Sequence, residues 1–381
     1  MPRFLHTADW QIGRQFASFS PENAHPLAEA RTAAVERLAA LATEQRVDAV
    51  LVAGDVFDAQ TVSDRSIRRL FDALAGYSGA WILIPGNHDA ALAESVWTRA
   101  RRLGAVPANA HISLQPEVLN FAALGFVALT APLTQRHTFG DLTAWFDRAD
   151  TPAGLLRIGL AHGSVQGILA EDIDSANPIA PDRAATARLD YLALGDWHGN
   201  KRIDARTWYS GTPEPDRFKA NDAGRALLID IAAPGAEPAV TAIATAQFSW
   251  HQLSSTLQVD TDVDDVLRQL AAFTASDVVE LGLAGQIDLA GHQRLQAALS
   301  LAEARTRHLA VDLAELRLAP TDDDIAGLHA DGYLGDVIIE LRDAQAAGGE
   351  GGQAAQDALA ILTAALAQRA PAGSSIVTPG A

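Results

Sequence analysis

Four short apolar runs punctuate the first half of the chain, each passing into a glycine-containing polar loop: "DAVLVAGD" (48–55), "AWILIPGNHD" (80–89), "LLRIGLAHG" (155–163) and "DYLALGDWHG" (190–199). Aliphatic runs of this length, bounded by turn residues, read as buried strands. Between them, "AEARTAAVERLAALATEQR" (28–46) and "DRSIRRLFDALAGY" (64–77) repeat apolar residues at helical spacing, as amphipathic helices do. Strand and helix in alternation predict an α/β fold with a largely central sheet. The polar residues of interest fall at the C-terminal ends of the strands, where such sheets place their ligands.

After "TWYSGTPEPDRF" (207–218) the pattern changes. "GRALLIDI" (224–231) and "AVTAIAT" (239–245), separated by the turn "AAPGAEP" (232–238), read as two outer strands that close a first domain over residues 1–247. Residues 248–319 read as a smaller α+β cap domain: a strand, a helix (262–275), a strand (278–283), a helix (291–304) and a strand (308–314). The acidic run "TDVDD" (261–265) is a helix start, with carboxylates favoured at the N-terminus. Residues 320–368 are expected to be helical, broken by "GGEGG" (348–352), a flexible linker by composition; residues 369–381 are expected to be disordered.

With 381 residues and 48% hydrophobic content, the chain can bury the cores of two domains. It contains no apolar run long enough to span a membrane and passes from Met1 straight into a strand, so a soluble cytoplasmic protein without a signal peptide is expected. The absence of Cys excludes disulfides and thiolate sites, which leaves His, Asp, Glu, Asn and Gln as metal ligands. The net charge of −18 is unevenly spread: residues 221–381 carry 22 acids against 8 Arg. Broad, non-specific nucleic-acid binding is therefore disfavoured. Any DNA role must rest on a local patch, a bound metal or a basic partner.

Five motifs carry the chemistry: "DWQ" (9–11), "GDVFD" (54–58), "GNHD" (86–89), "AHG" (161–163) and "GDWHG" (195–199). Each alone is weak, but all five in this order at strand ends form a strong pattern. On these residues the sequence resembles the calcineurin-like metallophosphoesterases, and "LHTADWQIG", "VAGDVFD", "IPGNHD" and "YLALGDWHGN" are most similar to the SbcD-type nucleases of DNA double-strand-break repair. The resemblance covers roughly residues 1–230. It implies an α/β metallophosphoesterase β-sandwich flanked by helices, two divalent ions, and DNA exonuclease activity. It also implies an SbcC-like SMC-type ATPase partner that supplies DNA-end binding, and no membrane association. Such proteins often form homodimers, although no dimer signature is read here.

Carried over residue by residue, the resemblance gives one ion Asp9, Gln11, Asp55 and His198, and the other Asp55, Asn87, His162 and Asp196, with Asp55 bridging. His88 becomes the transition-state stabiliser and general acid, and Asp89 orients its ring. Asp58 and His6 support the loops. Two positions depart from the family pattern: Gln11 stands where His is usual, and Asp196 stands where the first His of a GHxH motif is usual. Both still offer an oxygen to a hard divalent ion, which favours Mn²⁺ or Mg²⁺ over Zn²⁺. Gln11 reads alternatively as a hydrogen-bond partner of a metal-bound water, and Asp196 as a turn residue. Trp10 and Trp197 read as packing behind the metals or as base-stacking platforms. Arg14, Tyr209, Arg217 and Lys219 read as phosphate contacts or as parts of a domain-closing loop. A phosphoesterase of small nucleotides or phosphomonoesters, and a non-catalytic scaffold, remain the alternative functions.

Overall fold

In the computed structural model, residues 2–168, 177–321 and 333–369 are described. Residues 370–381 of the tail expected over 369–381, and residues 322–332 of the expected helical region, lie outside them; Arg369 itself ends a helix. The chain divides into two units, Met1–Ser249 and Trp250–Ala381.

The first unit is built on two six-stranded sheets. Its strands are β1 (Arg3–Thr7), β2 (Ala49–Val52), β3 (Ala80–Leu83), β4 (Ala110–Ile112), β5 (Glu117–Phe121), β6 (Phe126–Ala131), β7 (Leu156–His162), β8 (Ser164–Val165), β9 (Pro178–Ile179), β10 (Tyr191–Gly195), β11 (Lys201–Arg202), β12 (Thr207–Tyr209), β13 (Arg225–Asp230) and β14 (Ala239–Ala244). One sheet runs β14-β13-β1-β2-β3-β4 and the other β11-β12-β10-β7-β6-β5. Strands β1, β2 and β3 are mutually parallel, as are β6, β7 and β10.

Side chains alternate between two apolar layers, which is why the strands read as continuous hydrophobic runs. Phe4, Leu51 and Ile82 of the first sheet meet Phe126, Ile158 and Tyr191 of the second between the sheets. Leu5, Val50, Val52, Trp81 and Leu83 face outward, against helices α1 (Pro21–Glu44), α2 (Asp64–Ala73) and α3 (Val96–Arg102). Leu192 and Leu194 pack against α4 (Arg183–Thr186) on the far side of the second sheet. The single central sheet expected from the alternation is thus a pair, in agreement with the sandwich implied by the resemblance.

The second unit has a three-stranded sheet of β15 (Ser249–Leu257), β16 (Asp277–Ile287) and β17 (His308–Leu318), interleaved with α5 (Asp260–Ala272) and α6 (Leu289–Arg305). Val263, Val266, Leu270, Leu295 and Leu299 of the helices cover Val279, Leu281 and Leu283 of the sheet. Two further helices follow, α7 (Tyr333–Ala347) and α8 (Gly349–Arg369). "GGEGG" is therefore not a linker. Gly348 (φ 75°) and Gly349 (φ 74°) make the tight turn, and the later glycines are helical. Burial of Ile338, Ala355, Leu359 and Thr363 overrides their poor helix propensity.

Candidate metal centre

The loops after β1, β2, β3 and β10, and the end of β7, meet at one edge of the sandwich. The first two are stitched together by backbone hydrogen bonds from Asp9 N to Gly54 O (3.0 Å), Gln11 N to Asp55 O (2.9 Å) and Ile12 N to Val56 O (2.9 Å). The two sheets are joined at the same edge. His162 Nδ1 lies 2.8 Å from Ala53 O, and Asp196 N donates to Asp9 Oδ1 (3.1 Å).

Five of the seven expected ligands occupy the left-handed backbone region: Asp9 (φ 55°), Gln11 (50°), Asp55 (53°), Asp196 (107°) and His198 (60°). Non-glycine residues adopt this region at a cost that clusters at functional sites. Three glycines create the room. A Cβ at Gly54 would strike the His162 ring, one at Gly86 the Asp55 carboxylate and backbone, and one at Gly195 the carbonyl of Ala53.

Within this frame Asp9, Asp55 and His162 place one ligand atom each within 4.8 Å of one another, all buried. His162 Nε2 lies 3.6 Å from Asp55 Oδ1 and 3.7 Å from Asp196 Oδ1. The two Asp55 oxygens face different groups. Oδ2 accepts from Gln11 Nε2 at 2.7 Å, and Oδ1 accepts from the His88 backbone N–H at 2.9 Å.

The electrostatics suit a cation. Burial raises Asp9, and burial, reinforced by Asp9 and Asp55, pushes Asp196 up to about 6. Burial alone would lower His162, but Asp55, Asp196 and Asp9 outweigh it and push the ring up to about 9. Three buried polar atoms at this cluster have no hydrogen-bond partner: Gln11 Oε1, Asn87 Oδ1 and His162 Nε2. Buried polar atoms are normally paired, so lone-pair donors left over beside a carboxylate cluster fit a metal ion. The residues present therefore suit the divalent ions implied by the resemblance.

His88 turns its Nδ1 to the carbonyl of Asp58 at 2.8 Å, which leaves Nε2 as the other ring nitrogen. Asp89 does not orient that ring, contrary to expectation. Its buried carboxylate accepts from Gly86 N (2.6 Å) and Phe57 N (3.1 Å), tying the β3 loop to the β2 loop, and burial pushes it up to about 7. His6 supports the frame from between the sheets, with Nδ1 3.0 Å from Tyr191 Oη. The Asp58 carboxylate pairs with Arg14 at 3.5 Å. Trp10 is packing: its indole is buried, donates to Thr7 Oγ1 at 2.9 Å and meets Trp81 edge-on. Tyr209 is no phosphate contact, because it is fully buried and donates to Gly163 O at 2.8 Å.

Two residues at the site stand outside the motifs. Asp216 Oδ2 lies 3.2 Å from His198 Nδ1, and Asp216 also pairs with Arg217 and Arg14. The Arg217 guanidinium lies 3.1 Å from the same Nδ1, so both partners engage one ring nitrogen and leave Nε2 as the other, open to a metal. Although burial opposes it, the His198 and Arg217 contacts hold Asp216 well below the usual carboxylate range. Arg31 of α1 is buried beneath the ligand loop. It donates to Trp10 O (2.7 Å), Asp9 O (2.9 Å), Glu214 O (3.0 Å) and Thr212 Oγ1 (3.0 Å).

Comparison with known proteins matches residues 2–218 to the calcineurin-like phosphoesterase profile. The chain is 31% identical over 284 residues to the SbcD component of the nuclease SbcCD of Rhodobacter capsulatus, covering 62% of this chain and 68% of that protein. It is 26% identical over 278 residues to the SbcD component of the nuclease SbcCD of Bacillus subtilis, with 62% and 67% covered. To the uncharacterised metallophosphoesterase YhaO of Bacillus subtilis it is 29% identical over 212 residues, with 53% and 50% covered. No helix among the described residues is long and apolar enough to cross a membrane.

Proposed function

This chain belongs to the calcineurin-like phosphoesterase family, and from that premise we propose that it is a metal-dependent nuclease of the SbcD type, hydrolysing phosphodiester bonds in DNA. The observation that carries the reading is the buried Asp9–Asp55–His162 cluster, with unpaired donors at Gln11, Asn87 and His162. Asp9, Gln11, Asp55 and His198 would hold one divalent ion, and Asp55, Asn87, His162 and Asp196 the other. When bound, two such ions neutralise charge on the phosphoryl oxygens and acidify a water. The oxygen-rich set, with Gln11 and Asp196 in place of imidazoles, favours Mn²⁺, then Mg²⁺.

The chain's own residues do the rest. The His88 backbone N–H anchors Asp55 Oδ1, while the ring, held by the Asp58 carbonyl, offers Nε2 to the substrate. In its imidazolium form His88 carries a proton at Nε2 for the departing oxygen. Asp89 keeps the β3 loop, and with it Asn87 and His88, in register with Asp55. An SbcC-like ATPase is the partner this reading calls for. The acidic residues 221–381 offer little affinity for DNA, and the α7–α8 pair leaves Tyr333, Ile339 and Ile361 exposed for a protein surface.

The test is hydrolysis of an end-labelled linear duplex and of a chromogenic phosphodiester in Mn²⁺, with His88→Ala as control. Duplex cleavage that disappears in His88→Ala, with metal content unchanged, is the expected result. Cleavage of the small ester alone, by the chain and by the chain with its ATPase, would replace the nuclease reading with a small-phosphoester one. Full activity in His88→Ala would remove the assignment of the acid.

A further inference from the structure

The chain contains two lysines in 381 residues, Lys201 and Lys219, and both stand over the same indole. Lys219 Nζ lies 4.3 Å from the centroid of Trp197 and Lys201 Nζ 5.0 Å from it. Trp197 is flanked in sequence by Asp196 and His198, one expected ligand of each ion, and is half-exposed. Lys201 comes from β11 and Lys219 from the loop after β12, so two separate segments deliver the same charge to the same ring. Neither ammonium forms an ion pair with any described residue, although the protein carries a net charge of −18.

Two like charges gathered on one ring, in a chain with 47 acids available to separate and neutralise them, is an arrangement that packing alone does not explain. An indole face attracts a cation but does not neutralise it, so the ammoniums keep donors for an anion. With its ring occupied by the lysines, Trp197 serves them as a platform and leaves little face for a base to stack on.

We infer that Lys201, Trp197 and Lys219 form a phosphate subsite beside the metal centre, which takes a backbone phosphate next to the scissile one in a nucleic-acid strand. This rests on the nuclease reading above and adds to it a source of selectivity: a polynucleotide presents a second phosphate to this platform, whereas a phosphomonoester does not. It also supplies the local basic patch that an acidic chain needs for DNA.

The experiment is fluorescence anisotropy of a labelled 12-nucleotide single strand against the full chain in Mn²⁺, in a His88→Ala background, across a salt series. Single-stranded binding releases about 0.7 ion per neutralised phosphate charge, so Lys201→Gln/Lys219→Gln should flatten the salt slope by about 1.4 and weaken binding about 25-fold at 0.1 M salt. Arg65→Gln/Arg68→Gln removes the same charge from the exposed surface of α2 and should leave the slope unchanged. Equal loss in both double variants, or no loss in the lysine variant, overturns the subsite while the nuclease reading stands. Lysine-dependent binding by a chain whose His88 form cleaves no strand would keep the subsite and overturn the nuclease. No binding by the His88→Ala chain itself overturns the subsite.

Discussion

Arg31 offers the sharpest test of how the site is held. Its guanidinium makes four hydrogen bonds under the ligand loop: to the carbonyls of Trp10, Asp9 and Glu214 and to the hydroxyl of Thr212. One side chain thus fastens the "DWQ" loop to the segment that leads into Asp216, which begins some 180 residues beyond Arg31 itself. In Arg31→Met the side-chain volume is largely kept, but the buried carbonyls of Asp9 and Trp10 lose their donor and that of Glu214 keeps only the Thr212 hydroxyl. Hydrogen bonds from a charged donor contribute about 1.5–3 kcal/mol each, and the cost of burying the guanidinium offsets part of their sum. Breaking such a buried charged network is expected to destabilise by about 3–5 kcal/mol. Because the fastened loop carries Asp9 and Gln11, Mn²⁺ affinity should also fall by about 10–100-fold, as when a supporting partner of a ligand is lost. Urea unfolding followed by tryptophan fluorescence measures the first effect, since every Trp except Trp250 lies in the first unit. Calorimetric titration with Mn²⁺ measures the second. Arg31→Lys should recover only a fraction of either, because an ammonium cannot fork across two loops. An Arg31→Met protein within 1 kcal/mol of the parent, with unchanged Mn²⁺ binding, would refute this account of the loop.

Two further outcomes follow from other parts of the molecule. Gln11→His puts an imidazole beside Asp55 and should raise affinity for Zn²⁺ relative to Mn²⁺ by about tenfold or more, read by competitive metal titration; a parent chain that already prefers Zn²⁺ would sink the reasoning. In the second unit Asp277, although half-shielded from water, is held below the usual carboxylate range by His251 Nε2 (2.7 Å) and by the N–H and hydroxyl of Thr274. A depressed carboxylate stabilises the fold above its unfolded pKa of about 3.9 and loses that contribution as pH falls through its folded value. Asp277→Asn should therefore cost about 1 kcal/mol near neutrality, and the gap from the parent in thermal melts should close below pH 4; a gap that widens in acid would contradict it.

The elements that position the site were largely legible, because they rest on hydrophobic period. Period could not separate one sheet from two: Leu5 and Val50 look outward to helices while Phe4 and Leu51 look inward to the other sheet, and both layers are apolar. Strands β5 and β6 are obscured for another reason. The alanines and glycine of "FAALGFVALT" carry a helical or broken signal; β6 is held as a strand by the distant β7, and β5 by pairing with β6. At the site, motif order located the carboxylates and histidines that the structure gathers. It could not reveal Arg31, which sits in an amphipathic helix where an arginine normally reads as solvated, nor Asp216, whose partner His198 is brought to it only by the fold. Asp89 shows the converse error. Adjacency to His88 suggested an orienting carboxylate, whereas the side chain points back to its own loop and to Phe57.

The pairing of Lys201 and Lys219 on one indole has a chemical consequence beyond binding. Side-chain amines are the commonest targets of acylating and carbonyl reagents, and proteins usually scatter them over the whole surface. Here every lysine amine stands over the tryptophan that separates Asp196 from His198. Apart from the terminal amine, a general amine reagent therefore marks a single place on this chain: a fluorophore, a cross-linker or an acetyl group placed on lysine reports on, or bridges from, the surface around Trp197.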